Sequence, residues 1–177
     1  MIFIKKKIKG VYLIKPESFK DIRGIFRRNF CVKEFYKNSI NNKIIQANIS
    51  ENKNKYTLRG FHYQLSPGSE DKTLTCIKGE IYDIVVDLRK KSKTYLKWIA
   101  VKLNDKNRYS IHIPKGCANA FLTLSKNCII HYYCSAKYNP KKERGVRYND
   151  PIFKFKWPFK PKYISIKDQN HKDYKSK

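Results

Sequence analysis

Hydrophobic and polar residues alternate in short runs along most of the chain, a pattern typical of β-strands with one buried face. The run IIQANIS places Gln46, Asn48 and Ser50 on one strand face and apolar residues on the other. Further strand-like runs are GVYLIK, KWIAVKL, YSIHIP, AFLTLS and CIIHYYCSAKY. The segment TLTCIKGEIYDIVVDLR contains two such runs joined around Lys78-Gly79-Glu80, which predicts a hairpin. Many short strands at regular spacing predict an all-β barrel or sandwich.

Helical signals are confined to short segments. VKEFYKNSI near residue 35 predicts one helix, and the irregular segment WPFKPKYISIKDQNHKDYKSK is expected to carry a short final helix. The last residues, 170–177, are expected to fray. No internal repeat or linker interrupts the pattern, so residues 1–177 are expected to form a single domain.

The composition describes a folded and strongly basic chain. Hydrophobic residues make up 41%, and 40 Lys and Arg against 14 acidic residues give a net charge of +26. Such a charge favours anionic partners. The lysines are scattered singly or in short runs, and the sequence lacks a basic helix, zinc-finger spacing or an RNA-recognition motif. We therefore expect no nucleic-acid partner, whereas a small phosphorylated ligand would suit the charge.

Cysteine usage and hydropathy predict the compartment. The five cysteines are Cys31, Cys76, Cys117, Cys128 and Cys134, an odd number without a C-x-x-C pair. This pattern indicates free thiols in a reducing compartment. MIFIKKKIKG lacks the order of a signal peptide, and no uncharged apolar run is long enough to span a membrane. The expectation is a cytoplasmic protein without a membrane partner.

Polar residues in strand-like runs are the candidate chemistry. Gln46, Asn48, Arg59 and His62 occupy strands of a structure that must bury one face of each strand. A single one of them could lie on a solvated sheet face, but a group on neighbouring strands predicts the lining of a polar cavity. Lys72 follows the strand of His62 after a loop rich in Pro, Gly, Ser and acidic residues.

A metal is the first alternative use of such a cavity. Jelly-roll barrels often hold a metal with a His-x-His pair, a Glu and a later His. Here the partner position of His62 is Gln64, and the later segment PKGCANAF offers Asn119. One imidazole among amides is a poor transition-metal site, so no metal is expected.

A set of motifs runs in order across nearly the whole chain. They are DIRGIFRRNF (21–30), IIQANIS (44–50), RGFHYQ (59–64), GEIYDIVVDLR (79–89), IPKGCANAF (113–121), HYYCSAKYNPKKE (131–143), YNDP (148–151) and SIKD (165–168). This ordered set resembles the dTDP-4-dehydrorhamnose 3,5-epimerase family. The resemblance implies a cupin jelly roll that works without metal or cofactor. It also implies a homodimer in which N-terminal strands pair with the partner and Arg23 reaches the neighbouring site.

The resemblance also implies roles for individual residues. His62 matches the base, Asp168 the acid that pairs with it, Lys72 the cation near the keto oxygen, and Tyr132 the proton donor on the opposite face. The matching substrate-binding positions are Arg23 and Arg59 for the diphosphate, Gln46 and Asn48 in the pocket, Phe26, Arg28 and Tyr138 near the nucleotide, and Asn119 at the pocket end of the barrel.

The implied function is epimerisation at C3, C5 or both of a nucleoside-diphosphate 4-keto-6-deoxy sugar, for synthesis of surface polysaccharide precursors. The chain departs from the family pattern at Arg28, where Glu is usual, at Cys117, Asn119 and Ala120, and at Tyr148, where Trp is usual. A GDP-linked 4-keto heptose epimerase and a C3-only epimerase therefore remain alternatives. A non-catalytic nucleotide-sugar-binding cupin and a nucleic-acid-binding barrel are the alternatives of another class.

Overall fold

Fourteen strands and two short helices make up the structure, a computed structural model that describes residues 1–41 and 43–175. In chain order they are β1 (Ile2–Lys5), β2 (Tyr12–Lys15), β3 (Ser18–Asp21), β4 (Gly24–Arg27), α1 (Val32–Lys37), β5 (Gln46–Asn52), β6 (Thr57–Gln64), β7 (Lys72–Lys78), β8 (Glu80–Asp87), β9 (Trp98–Asn104), β10 (Ser110–Ile113), β11 (Cys117–Thr123), β12 (Cys128–Cys134), β13 (Glu143–Gly145), β14 (Tyr163–Ile164) and α2 (Ile166–Gln169). This content confirms the predicted all-β class with a few short helices.

Two large sheets pack face to face. The first has the strand order β1-β2-β10-β7-β12-β5, and the second has the order β13-β6-β11-β8-β9, with β14 pairing alongside β6. The main core lies between them and combines Leu74 and Ile111 of the first sheet with Val85 and Phe121 of the second. Alternation decides which residues enter this core, since inward and outward side chains follow one another along each strand.

The predicted hairpin around Gly79 is wrong. β7 pairs with β10 and β12 in the first sheet, whereas β8 pairs with β11 and β9 in the second. Gly79 lies between them with a φ of +82°, and a Cβ at this position would lie 2.5 Å from the Ser125 hydroxyl. The connection therefore crosses from one sheet to the other, because each strand is central in its own sheet and already has two neighbours.

Both outer sheet faces are covered in part by segments outside the large sheets. Phe35 of α1 is fully buried against Ile14 and Tyr133 of the first sheet. The segment that carries Phe153 and Trp157 packs over the second sheet. Neither helix has the length or the apolar character to span a membrane, within the described residues.

The C-terminal segment then returns to the second sheet beside β6. β14 pairs in parallel with β6 and delivers α2 beside that strand. Further on, the backbone amide of Tyr174 donates to Asp150 over 2.6 Å, and Arg147 forms an ion pair with Asp173. Fraying of the tail 170–177 stays a prediction, and 176–177 lie outside the described residues.

Candidate functional site

A polar cavity opens between the two sheets at one end of the sandwich. It comprises two adjoining spaces of about 340 and 330 Å³ that share His62, Lys72 and Tyr132. The first is also lined by Gln46, Asn48, Gln64, Tyr138 and Glu143, and the second by Ser50, Arg59 and Asn119. The cavity thus collects nine of the twelve residues that the sequence singles out, counting Asp168, which lies directly behind His62.

A bulge in β6 places Arg59 and His62 on the same sheet face. These residues are an odd number of positions apart, so a regular strand would point them to opposite faces. In the structure Gly60 pairs with Ala120 and His62 with Asn119, which leaves Phe61 as an extra residue. Phe61 is buried on the outer face, while Arg59 and His62 both line the cavity.

Gly60 makes this bulge possible. Its φ is +111°, and a Cβ would lie 2.5 Å from the backbone oxygen of Asn119. A side chain at this position would meet backbone atoms, which cannot move aside cheaply. Glycine is therefore required both for the conformation and for the close approach of β11.

His62 and Asp168 form a hydrogen-bonded pair. The His62 Nε2 lies 2.7 Å from Asp168 Oδ1, and the backbone amide of Gly60 donates to the other carboxylate oxygen over 3.2 Å. Burial opposes ionisation of Asp168, but its hydrogen bonds with His62 and Gly60 lower its pKa overall. Because the ionised carboxylate accepts only, Nε2 carries the shared hydrogen and the lone pair of the neutral ring lies on Nδ1.

The position of Asp168 depends on α2. Ser165 caps this helix by accepting from the backbone amide of Asp168 over 3.1 Å, as serine commonly does at a helix N-cap. Asp168 itself is almost fully buried, whereas the imidazole of His62 is one-third exposed to the cavity. The carboxylate thus holds the ring from behind and leaves its other edge to the cavity.

Lys72 belongs to a chain of polar contacts that leads into the core. Its ammonium donates to Asn119 Oδ1 over 3.3 Å, and Asn119 Nδ2 donates to Asp83 Oδ2 over 3.0 Å. Burial raises the pKa of Asp83 to about 7, against the opposing effects of Asn119 and Lys72. Lys72 also lies 3.7 Å from Glu70. Asn119 therefore orients its amide between a cation at the cavity and a buried acid.

Tyr132 faces His62 from the opposite sheet. It lies on β12, between Leu74 and Asn48, and the Lys72 ammonium sits 5.8 Å from its ring centre. Burial raises the pKa of Tyr132, and the charge of Lys72 partly opposes this rise. The phenol therefore keeps its proton at neutral pH. An imidazole and a protonated phenol thus approach the cavity from different sides.

Hydrogen bonds order the rest of the cavity wall. Arg59 Nε donates to Asn52 over 2.7 Å, and Gln46 donates to Asn48 over 2.8 Å. The Tyr138 backbone amide donates to Gln46 over 2.9 Å. The polar face predicted for β5 is confirmed, since Gln46, Asn48 and Ser50 all line the cavity.

Sequence reasoning missed several residues of the site. Glu143 accepts from the Tyr138 hydroxyl over 2.6 Å and forms an ion pair with Lys167. Asp83 is fully buried, and His171 lies close to Asp168. A signal existed for Glu143, Lys167 and Asp83, because each lies inside one of the family motifs. None existed for His171, which lies outside them.

Three predicted substrate-binding residues are not brought to the cavity of the same chain. Arg23 pairs with Asp21 at the tip of the β3–β4 arm, and its side chain is 86% exposed. Phe26 is 72% exposed, and Arg28 pairs with Glu34. All three lie in or next to this small two-stranded sheet, which is separate from the two large ones.

Comparison with known proteins agrees with this architecture. The family model described as dTDP-4-dehydrorhamnose 3,5-epimerase matches residues 5–176. The enzyme of that name from Methanothermobacter thermautotrophicus is 39% identical over 96% of this chain and 92% of its own length. The crystal structure of the Bacillus anthracis enzyme, with TDP and PPi bound, superposes with a TM-score of 0.95 at 30% identity and covers 98% of this chain and 99% of that one.

A second solved structure carries a sugar nucleotide. The Legionella pneumophila enzyme, in complex with dTDP-4-keto-L-rhamnose, superposes with a TM-score of 0.92 at 33% identity, over 97% of this chain and 92% of that one. These likenesses confirm the predicted fold class and extend over nearly the full length of both chains. The chain therefore belongs to the dTDP-4-dehydrorhamnose 3,5-epimerase family.

Proposed function

We propose that this protein epimerises a dTDP-linked 4-keto-6-deoxy sugar at C3 and C5 by removal and return of a proton. One observation carries the proposal: the His62–Asp168 pair and the Tyr132 phenol enter one cavity from opposite sheets, with Lys72 beside the phenol. An epimerase needs this arrangement, because the proton must leave from one face of the sugar and return on the other.

The proposed reaction begins at a C–H bond next to the C4 carbonyl. His62 takes the proton on Nδ1 while its Nε2–H stays bonded to Asp168, whose charge stabilises the imidazolium that forms. The electron pair of the broken C–H bond moves into the carbonyl and gives an enolate. The Lys72 ammonium offsets the negative charge on O4. No redox cofactor and no metal enters this step.

Reprotonation completes the inversion. Tyr132 donates its phenolic proton to the opposite face of the enolate carbon, and the tyrosinate is stabilised by Lys72 until it regains a proton from solvent. His62 releases its proton to solvent in turn. The raised pKa of Tyr132 supports this role, because the group enters each cycle protonated.

The remaining polar residues account for substrate binding. Arg59 suits the diphosphate, because a guanidinium can donate two parallel hydrogen bonds to phosphate oxygens. Gln46, Asn48 and Tyr138 line the adjoining space of the same cavity, into which the nucleotide would extend. The cavity is polar, and Arg59 and Lys72 supply cations for a sugar diphosphate.

A homodimer explains the exposed β3–β4 arm. The arm exposes Phe19, Ile22 and Phe26, and the exposed Arg23 does not line the cavity of its own chain. In a dimer the arm would bury this apolar surface and bring Arg23 to the partner's substrate. We expect light scattering to give a dimer at micromolar concentration, and a monomer would contradict this part of the proposal. A cytoplasmic location fits the five free cysteines.

The test of the reaction is proton exchange followed by NMR. The protein is incubated in D2O with candidate nucleotide 4-keto sugars, linked to dTDP or to GDP, and deuterium is scored at C3 and C5. We expect exchange at both carbons of the dTDP-linked hexose. Exchange at C3 alone would favour the C3-only alternative, and a preference for a GDP-linked heptose would replace the proposed substrate.

Tyr132→Phe is the matched variant, because it deletes only the hydroxyl. We expect it to keep exchange at C3, where solvent can return the proton, and to lose most inversion at C5. Equal rates of C5 inversion in the variant and the parent would remove Tyr132 from the mechanism. Binding without exchange at either carbon would favour the non-catalytic cupin.

A further inference from the structure

A second imidazole lies beside the carboxylate of the His62–Asp168 pair. His171 follows Asp168 at the i+3 position, just beyond α2, and its Nε2 is 3.9 Å from Asp168 Oδ1. The His62 Nε2 is 2.7 Å from the same oxygen. These three donor atoms, two ring nitrogens and one carboxylate oxygen, all lie within 4.8 Å of one another.

The His171 ring is held in this position by packing. Its Nε2 is buried and has no hydrogen-bond partner within 1–41 and 43–175. The ring packs over Gly145, where a Cβ would lie 2.0 Å from Nε2, so any larger residue at 145 would displace it. A buried nitrogen without a partner costs free energy, and a bound ion is one way in which such an atom is satisfied.

The donor set matches a transition metal. Zinc sites commonly combine imidazole nitrogens with a carboxylate oxygen and keep one position for water. Tetrahedral ligands at about 2.0–2.2 Å from zinc lie about 3.3–3.6 Å apart. The two separations on Asp168 Oδ1, 2.7 and 3.9 Å, fall on either side of this value, so small side-chain shifts would form the site.

We propose that His62, Asp168 and His171 bind a divalent transition metal, with zinc as the favoured ion, and that the bound ion inhibits the enzyme. The ion can approach through a cavity of about 500 Å³ lined by His62, Asp168 and Glu143. Arg59, Lys162 and Lys167 line the same cavity and oppose a cation, although Lys167 is paired with Glu143. Hard ions such as Mg²⁺ and Ca²⁺, which need oxygen ligands, are not expected to bind.

Inhibition follows from the tautomer of His62. A metal on Nε2 takes the lone pair at that nitrogen, so the single proton of the neutral ring must lie on Nδ1. Nδ1 can then no longer accept a proton from the sugar. The ring stays neutral, and the proton only moves from one nitrogen to the other through solvent. This inhibitory effect rests on the proposed function, whereas metal binding rests on the geometry alone.

The experiment measures binding and turnover separately. Zinc binding to the whole protein is followed by equilibrium dialysis, and cobalt(II) is used in parallel because its visible absorption reports the ligand geometry. Epimerisation is then measured with and without micromolar zinc. His171→Gln is the test variant, and His131→Gln is the matched control, because His131 lies on the first sheet, outside the group of three.

We expect one zinc per chain and loss of turnover on its addition. His171→Gln should weaken zinc binding at least about 10-fold, and inhibition of the variant, measured against its own turnover without zinc, should need correspondingly more zinc. His131→Gln should behave as the parent in both measurements. Gly145→Ala, which displaces the ring but keeps the imidazole, should resemble His171→Gln and replaces it if that variant unfolds.

Failure of the metal site and failure of the proposed function give different results. Absence of zinc binding, or equal binding by parent and His171→Gln, overturns the metal site and leaves the proposed function untouched. Binding that depends on His171 but does not inhibit overturns the inhibitory role of the ion, whereas the role of His62 as the base is decided separately by the exchange experiment in D2O. Binding that persists in His171→Gln but falls in Cys31→Ser assigns the ion to a thiol instead.

Discussion

Two aspartates on the same strand, Asp83 and Asp87, have pKa values shifted in opposite directions although both are fully buried. They lie on β8, an even number of positions apart, and both face the space between the sheets. Burial raises the pKa of Asp83 to about 7. Asp87 has a pKa of about 2, because hydrogen bonds from Arg89 and its neighbours outweigh the effect of burial.

The difference lies in the hydrogen-bond partners. Asp87 accepts from Arg89 through Nε, Nη2 and the backbone amide, and from the hydroxyls of Ser92 and Thr94 over 2.6 and 2.7 Å. Asp83 accepts from Asn119, and its other oxygen has no partner among the described residues. A buried carboxylate is ionised only where donors replace the lost water.

The location of these partners indicates that Asp87 is a structural acid, whereas Asp83 belongs to the site. The nitrogen and hydroxyl donors to Asp87 lie on the turn that follows β8, so this carboxylate fixes a local loop, while the Cys117 thiol of β11 lies 3.9 Å from it. The partner of Asp83 lies on another strand and leads to Lys72 at the cavity. Both oxygens of Asp87 therefore have donors, whereas only one oxygen of Asp83 has a donor among the described residues, as expected for an acid next to a binding site.

The largest expected effect is at the cavity. His62→Asn should lower turnover by roughly 10²–10⁴-fold, the range for loss of a positioned general base. The fold should stay intact, because His62 is one-third exposed, with at most a small decrease in the unfolding temperature from loss of the hydrogen bond with Asp168. Proton exchange at C3 and C5 by NMR gives the rate. Exchange at the parent rate would assign the base to another residue.

Asp87→Asn should mainly change stability. The amide that replaces one oxygen faces hydroxyl and guanidinium donors, and an unsatisfied buried group costs about 1–3 kcal/mol. Denaturant unfolding at neutral pH measures this loss, and turnover per folded molecule should stay unchanged. Since the folded pKa lies below the ordinary value of 3.8, the parent's advantage is present above about pH 4 and disappears as the pH falls toward 2.

A loss of turnover in folded Asp87→Asn equal to that in His62→Asn would erase the distinction between Asp87 as a structural acid and the residues of the cavity. A stability equal to the parent's would show that the hydrogen bonds around Asp87 contribute nothing.

Asp83→Asn should have a smaller effect, and one of opposite pH dependence. The folded pKa of Asp83, about 7, lies above the ordinary value of 3.8, so the parent loses stability as the pH rises from about 4 to about 7. The isosteric amide removes this loss while it still accepts from Asn119. We therefore expect the variant's stability to gain on that of the parent across this range. Unfolding measured at several pH values checks this, and parallel curves for parent and variant would contradict it.

The smallest expected effect is that of chelation. The proposed reaction uses only side chains of the cavity, so we expect it to proceed without a metal. This expectation stays a prediction. Exhaustive treatment with a chelator should leave turnover of the parent unchanged, or raise it where zinc occupied the inhibitory site. Activity that collapses on chelation and returns with a single divalent ion would show that the cavity holds a catalytic metal.

Local sequence alone determined the strand content and the identity of the candidate residues. Alternation over IIQANIS correctly predicted the shared face of Gln46, Asn48 and Ser50, because side-chain direction along a regular strand follows from position alone. The motif RGFHYQ identified Arg59 and His62 through its match to the family pattern, and both residues line the cavity. The oligomeric state and the reach of Arg23, Phe26 and Arg28 stay predictions.

Only the tertiary structure decided how these residues meet. Alternation would have separated Arg59 from His62, and the bulge opposite Ala120 brought them to one face. The sequence also did not reveal that the chain passes from one sheet to the other at Gly79. Nor did it reveal the contact of His62 with Asp168, 106 positions away. These features depend on which strands become neighbours, and that choice is made by burial of the whole core rather than by any short run of residues.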